Sequence, residues 1–181
     1  MPTKIILIRH GQTLWSRKKR YCGSSDISLS ARGRNQARKL YQVLKKEKIS
    51  KVYSSNAARA WDFAKIAFKG MKIKTITQLR EFNFGIFEGL TYQEIKQKYP
   101  QIYGRWLKNP LAVDLPNGEN INNFKKRVEK IFAKIARVNK NKTIAIVTHA
   151  GPIKVILGDI LKKKKFWELN VDLASMHIIN G

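Results

Sequence analysis

Two short apolar runs, "IILI" at residues 5–8 and "IAIV" at residues 144–147, each end on a histidine followed by small residues, in "RHG" and "THAG". A continuous aliphatic run of this length, without polar alternation, marks a strand covered on both faces. Such strands belong to parallel sheets sandwiched between helices.

The rest of the chain alternates in the same sense. "LSARGRNQARKLYQVLKK" offers Ser30 as an N-cap, and Ala37, Leu40, Tyr41 and Leu44 then follow helical spacing. "KVYSS" reads as a second strand and "AARAWDFAKIAFK" as the helix behind it, while "KIKTI", thinner and more polar, reads as an edge strand. Residues 79–89 are loop-like, and a helix is predicted over residues 91–99. "NINNFKKRVEKIFAKIARV" gives the longest amphipathic helix, with Phe124, Val128, Ile131, Phe132 and Ile135 on one face. "GPIKVILGDIL" is predicted to be the helix after the second apolar run, and "SMHII" a last strand. There is no internal repeat, low-complexity stretch or linker. The expectation is one domain over residues 1–181: an α/β, Rossmann-like three-layer sandwich with a mostly parallel central sheet and helices on both faces.

Composition narrows the setting. A hydrophobic content of 43% is that of a globular chain, and no apolar run approaches the roughly 20 residues of a membrane span. "IILI" is far shorter than the apolar core of about 7–15 residues in a secretory signal. A lone cysteine, Cys22, forms neither an internal disulfide nor a cysteine cluster. A soluble cytoplasmic protein without a membrane partner is therefore expected. The charge is unusual, with 37 Lys and Arg against 12 Asp and Glu, a formal net charge of +25. Lysines outnumber arginines more than twofold and are spread along the chain, with "RKKR" and "KKKK" the only short runs. Specific recognition leans on the arginine fork. Nucleic-acid binding is thus expected to be non-specific at most, although the charge can draw in anionic substrates.

Open parallel sheets bind ligands beyond the carboxyl ends of their strands. If the strands are parallel, Arg9, His10 and His149 lie on one such edge, with Arg59 in the first turn of the helix after "KVYSS". The helix starting near Ala150 turns free N–H groups toward the same edge. Each residue alone has a plainer reading. A strand-end histidine is often a hydrogen-bonded boundary residue, Arg59 can pair with Asp62, and Glu81 can be solvated. Two strand-end histidines beside two arginines are harder to dismiss, and the third histidine, His177, is read as structural. No HExxH spacing occurs, and arginines repel a cation while attracting an anion, so a metal site is not expected. The chemistry that fits is phosphoryl transfer. Arginine forks grip a phosphate, a neutral imidazole attacks phosphorus, and a carboxylic acid caps the leaving oxygen.

The blocks that carry these residues resemble the histidine phosphatase superfamily, the phosphoglycerate mutase-like proteins. "LIRHGQT", "CGSSDISLSARGRNQA", "SSNAARA", "LREFNFGIFEGLTYQEI", "LPNGEN" and "VTHAGPI" follow in order over nearly the whole chain. The resemblance implies that His10 is the phosphorylated nucleophile, that Arg9 and Arg59 hold the phosphate, that His149 stabilises the transferring group and that Glu81 is the proton donor. It also implies a substrate pocket lined by Gly11, Gln12, Thr13, Ser16, Cys22, Gly23, Ala150 and Gly151, with no cofactor and no metal. Three positions depart from the family pattern: Ser16 stands for the usual Asn, Phe63 for a frequent Thr, and Asn120 for the usual Ser. The compact stretch from Glu81 to His149 lacks the longer basic insertion of cofactor-dependent mutases. The chain is thus more similar to small bacterial phosphatases, among them alpha-ribazole phosphatase. The implied partner is a small phosphorylated metabolite. The alternatives are a phosphoglycerate mutase and a non-enzymatic basic module that binds phosphate or nucleic acid.

Overall fold

A computed structural model describes residues 1–162, 165 and 168–181. Its five strands are β1 (Lys4–Arg9), β2 (Lys51–Ser55), β3 (Ile73–Ile76), β4 (Thr143–Thr148) and β5 (Met176–Asn180), ordered β3-β2-β4-β1-β5 across one sheet. The pairs β1–β4, β2–β4 and β2–β3 are parallel, and β5 joins β1 antiparallel. The polar "KIKTI" segment supplies β3 and sits at the sheet edge, as its composition predicts.

Alternation along the central strands divides the core in two. Ile5, Leu7, Tyr53, Ile144 and Ile146 face one side, with Phe124, Val128, Phe132 and Ile135 of helix α6 (Ile121–Arg137). Ile6, Ile8, Val52, Ala145 and Val147 face the other. There they meet Ala37 and Leu44 of α2 (Ala31–Leu44) and Ala60, Phe63 and Ala64 of α3 (Ala58–Ala67). Each aliphatic side chain fully withdrawn from water contributes about 1.5–3 kcal/mol, and all four in residues 5–8 are 0–1% exposed. The unbroken apolar runs are thereby explained, because neither face of the central strands meets solvent. Phe63 is wholly buried between α3 and the sheet, so its replacement of a polar family residue is a packing change.

The α2 start follows its sequence, with Ser30 Oγ accepting from Gly33 N–H at 3.1 Å. Asn120 caps α6 by accepting from the N–H groups of Asn122 and Asn123. Two helices carry no signal in the spacing above. The single turn α1 (Leu14–Arg17) exists through a reciprocal cap between Thr13 and Ser16. Helix α5 (Pro100–Lys108) starts on a proline directly after Tyr99 ends α4 (Tyr92–Lys98), and the helix predicted over residues 91–99 corresponds to α4 alone. The segment after β4 starts as α7 (Ala150–Lys154) and continues with π-helical bonding over Val155–Ile160. Half of the "KKKK" run lies outside the described residues. Among the described residues no helix is long and apolar enough to cross a membrane.

Candidate active site

Parallel register brings the strand ends together. Arg9 pairs with Thr148, and Ser54 with Val147, so the residues that follow, His10, His149 and Ser55, meet at one edge. The two imidazoles lie with ring centroids 5.0 Å apart, edge to face. Both are at least 95% buried.

The neighbours of His10 fix its tautomer. Nδ1 lies 2.8 Å from the Gly11 carbonyl oxygen, which can only accept, so Nδ1 carries the proton. Arg59 Nε–H, which can only donate, points at Nε2 over 3.2 Å, so Nε2 keeps its lone pair. Burial lowers the His10 pKa well below the ordinary imidazole value; the Arg59 and Arg9 charges add to this, and the Gly11 bond only partly opposes it. The imidazole is neutral at neutral pH.

Arg59 is 1% exposed and held by two carbonyls, Nη1 donating to Ser25 O and Nη2 to Gly23 O, each over 2.7 Å. The plainer alternative for Arg59 does not occur, since Asp62 pairs with Lys65 instead. Arg9 donates from Nη1 to Val171 O over 2.6 Å, while its buried Nε has no partner among the described residues. His149 bonds through Nε2 to Ser55 Oγ at 2.9 Å, and its buried Nδ1 is likewise without a partner among them. Burial, then the charge of Arg59, lowers the His149 pKa well below its ordinary value. Arg9 Nε and His149 Nδ1 are thus two buried polar atoms near a neutral imidazole that can serve a polar ligand, although His149 itself is not among the residues that line the cavity over the cluster. Arg9 and Arg59 make that ligand an anion.

Glu81 is anchored by backbone donors. Phe82 N–H reaches Oε1 at 3.0 Å, and Gly151 N–H at the start of α7 reaches both oxygens at 3.1 Å. A Cβ on residue 151 would stand 2.1 Å from Oε1, so glycine is what lets the carboxylate come this close. A cavity of about 690 Å³ opens over the cluster and is lined by Arg9, His10, Arg59 and Glu81 together with Gln12, Thr13, Ser16, Cys22 and Ala150. Among the described residues no group of three or more His, Cys, Asp or Glu side chains gathers in a metal-ligand arrangement.

The family model for the histidine phosphatase superfamily (branch 1) matches residues 5–181. The chain belongs to that superfamily. The expectation of a phosphatase of this superfamily with its three-layer fold is thereby met. Phosphoserine phosphatase 1 of Hydrogenobacter thermophilus is 30% identical over 98% of this chain and 86% of its own length. Phosphoglycerate mutase-like protein 4 of Arabidopsis thaliana is 36% identical over 83% of this chain and 68% of its own. Among solved structures, the alpha-ribazole phosphatase of Shigella flexneri superposes with a TM-score of 0.88 at 27% identity, covering 98% of this chain and 90% of that one.

Within this histidine phosphatase the eight expected pocket residues divide. Gln12, Thr13, Ser16, Cys22 and Ala150 line the cavity, whereas Gly11, Gly23 and Gly151 do not, and Gly151 lines the smaller pocket beside it. Their small size is used for close approach. A Cβ on residue 11 would meet Gly33 O at 2.8 Å, and one on residue 23 would meet Phe82 O at 1.9 Å. Ser16 turns its hydroxyl back on Thr13, donating to Thr13 O and accepting from Thr13 N–H, as a cap of α1. His177 lies in β5 and bonds to Ser175, in keeping with a structural role.

Sequence reasoning overlooked Glu88, from the quoted block "FEGL". Its carboxylate accepts the backbone N–H groups of Ser24 at 2.5 Å and Ser25 at 2.7 Å, and both serine hydroxyls. These hydrogen bonds, from Ser25 first, outweigh the upward push of burial and hold the Glu88 pKa below the ordinary carboxylate value. Glu88 thus fastens the loop whose carbonyls hold Arg59. A glutamate with no apolar spacing around it gives no sign of this in the chain. Tyr21, Arg32, Gln36, Phe84 and Leu173 also line the cavity and come from separate segments that only the fold assembles.

Proposed function

We propose that residues 1–181 form one phosphomonoester hydrolase domain that acts in the cytoplasm on a small phosphorylated metabolite through a phosphohistidine at His10. The observation that carries this reading is the forced tautomer of His10: a neutral imidazole with its lone pair at Nε2, enclosed by Arg9 and Arg59. Mere phosphate binding needs no such nucleophile.

In the proposed reaction Arg9, Arg59 and His149 Nδ1 bind the phosphoryl oxygens. His10 Nε2 forms a bond to phosphorus as the ester P–O bond breaks, and Glu81 in its acid form gives its proton to the leaving oxygen. Water then attacks phosphorus, Glu81 takes a proton from it, and the P–N bond breaks to release inorganic phosphate and restore His10. The arginines stabilise the charge that spreads over the equatorial oxygens.

Alpha-ribazole 5'-phosphate is the metabolite we propose, supported by the likeness to an alpha-ribazole phosphatase and by the compact segment between Glu81 and His149. The test is a panel of phosphomonoesters, including alpha-ribazole 5'-phosphate, phosphoserine and 3-phosphoglycerate, assayed with a chelator present, with and without bisphosphoglycerate. Release of inorganic phosphate independent of bisphosphoglycerate is expected, fastest from alpha-ribazole 5'-phosphate. Phosphoglycerate interconversion that requires bisphosphoglycerate would make the protein a mutase. Phosphate binding without turnover would make it a binding module.

A further inference from the structure

A second, apolar pocket of about 190 Å³ adjoins the catalytic cavity and shares Glu81, Phe84 and Ala150 with it. Its remaining walls are Phe82, Trp106, Ile121 and Phe124, with Gly151 and Lys154 completing the lining. The rings are fixed against one another: Phe82 stacks on Trp106 at 5.6 Å between centroids and meets Phe84 and Phe124 edge to face at 5.1 and 5.5 Å. Phe82, Trp106, Ile121 and Phe124 are all under 9% exposed, so the walls are preformed. An engineered apolar cavity of roughly 150 Å³ takes up a benzene ring, so this one is large enough for a single aromatic ring.

We infer that this pocket is the leaving-group subsite, and that the substrates are phosphomonoesters whose alcohol carries an aryl group or a bulky apolar group a few bonds from the ester oxygen. The inference rests on the hydrolase reading above, because it takes its direction from the acid. In-line displacement puts the leaving oxygen opposite His10, where Glu81 must reach it. The atoms attached to that oxygen therefore start beside Glu81, the residue at which the two cavities meet. An apolar group continues into the aromatic pocket and loses its contact with water. A leaving group such as that of phosphoserine carries an ammonium and a carboxylate; Phe82, Trp106 and Phe124 pair neither, so desolvation there costs affinity even with Lys154 in the lining.

The test separates the pocket from the chemistry. Binding of 3-phenylpropylphosphonate and of propylphosphonate, neither of which can be hydrolysed, is measured by calorimetry on the whole chain. The phenyl compound is expected to bind about 10–100-fold more tightly, the value of burying one aromatic ring. Trp106→Ala and Ile121→Ala are each expected to cut that ratio severalfold; if one fails to fold, the other decides. A wild-type ratio within twofold of unity overturns the inference, as does a large ratio that survives in a folded variant. Turnover of 2-phenylethyl phosphate and ethyl phosphate is measured alongside. No hydrolysis of either with the affinity ratio intact would overturn the hydrolase reading, while equal hydrolysis with a ratio near unity would overturn the pocket alone.

Discussion

Arg59 Nε–H lies 3.2 Å from Nε2 of His10, so the proposed phosphate clamp faces the lone pair of the proposed nucleophile. The contact is a neutral acceptor facing a charged donor. A phosphate dianion is a far better partner for a guanidinium, through charge-assisted paired bonds. In the proposed reaction a bound phosphate would therefore compete with His10 Nε2 for the Arg59 donor.

His10→Ala is accordingly expected to abolish turnover. Mixing the wild type with substrate and quenching in alkali should trap phosphate on histidine, stable to base and labile to acid. Substantial residual activity in the variant would remove the covalent mechanism.

Arg59→Ala is expected to lower kcat/KM by about 10²–10³, the size of effect seen on removing one preorganised donor. Arg59→Lys should recover little of it. Gly23 O and Ser25 O hold the two ends of a planar fork, and an ammonium cannot reach both while also facing His10. Full rescue by lysine would mean that position 59 supplies charge alone.

Glu88→Gln tests the support behind that fork. The amide nitrogen of glutamine would confront the N–H groups of Ser24 or Ser25, where a carboxylate now accepts both. A stability loss of about 1–3 kcal/mol is expected from the unsatisfied donors. If Glu88 also positions Arg59, vanadate should inhibit the folded variant several-fold more weakly. Lower thermal stability with unchanged vanadate inhibition would reduce Glu88 to a structural tie.

The layout of the sheet was legible because burial leaves a mark on strands. The runs at residues 5–8 and 144–147 are apolar since both faces are covered, and the sheet edge falls where "KIKTI" turns polar. The site was legible as far as it sits at strand ends, in Arg9, His10 and His149. Arg59 was placed near that edge by following the second strand, whereas Glu81 came with the family blocks, because nothing in its local spacing tells an acid from a surface residue. Glu88 and the carbonyls of Gly23 and Ser25 were not legible. Their roles are hydrogen bonds across the fold, and a backbone carbonyl has no letter in a sequence.

Stability should depend on pH through the two buried imidazoles. Burial, reinforced by arginine charge, sets the folded pKa values of His10 and His149 well below 6.5, the ordinary value they regain on unfolding. Below about 6.5 the unfolded chain binds protons that the folded chain refuses, so stability falls as pH drops and is level above that point. Each histidine contributes a slope of up to about 1.4 kcal/mol per pH unit. Denaturation midpoints between pH 7.5 and 5 should therefore decline, and His10→Asn should flatten the decline. An unaltered slope in that variant would mean that His10 is not held neutral.

Glu81 offers the sharpest separation between a catalyst and a binder. Its carboxyl is held by Phe82 N–H and Gly151 N–H, contacts that a glutamine oxygen can largely keep, so Glu81→Gln should fold and bind phosphate. What the amide cannot do is give up a proton. In single-turnover experiments, transfer from alkyl phosphates, whose alkoxide leaves poorly, should slow by about 10²–10⁴. Transfer from p-nitrophenyl phosphate, whose leaving group hardly needs a proton, should slow less than tenfold. The second half of the cycle needs the same residue as a base to activate water. With p-nitrophenyl phosphate the variant should thus release one equivalent of p-nitrophenolate per site in a burst and then stall with His10 phosphorylated. Equal slowing of both ester types, with no burst, would show that Glu81 is not the acid and that the leaving oxygen is protonated from elsewhere.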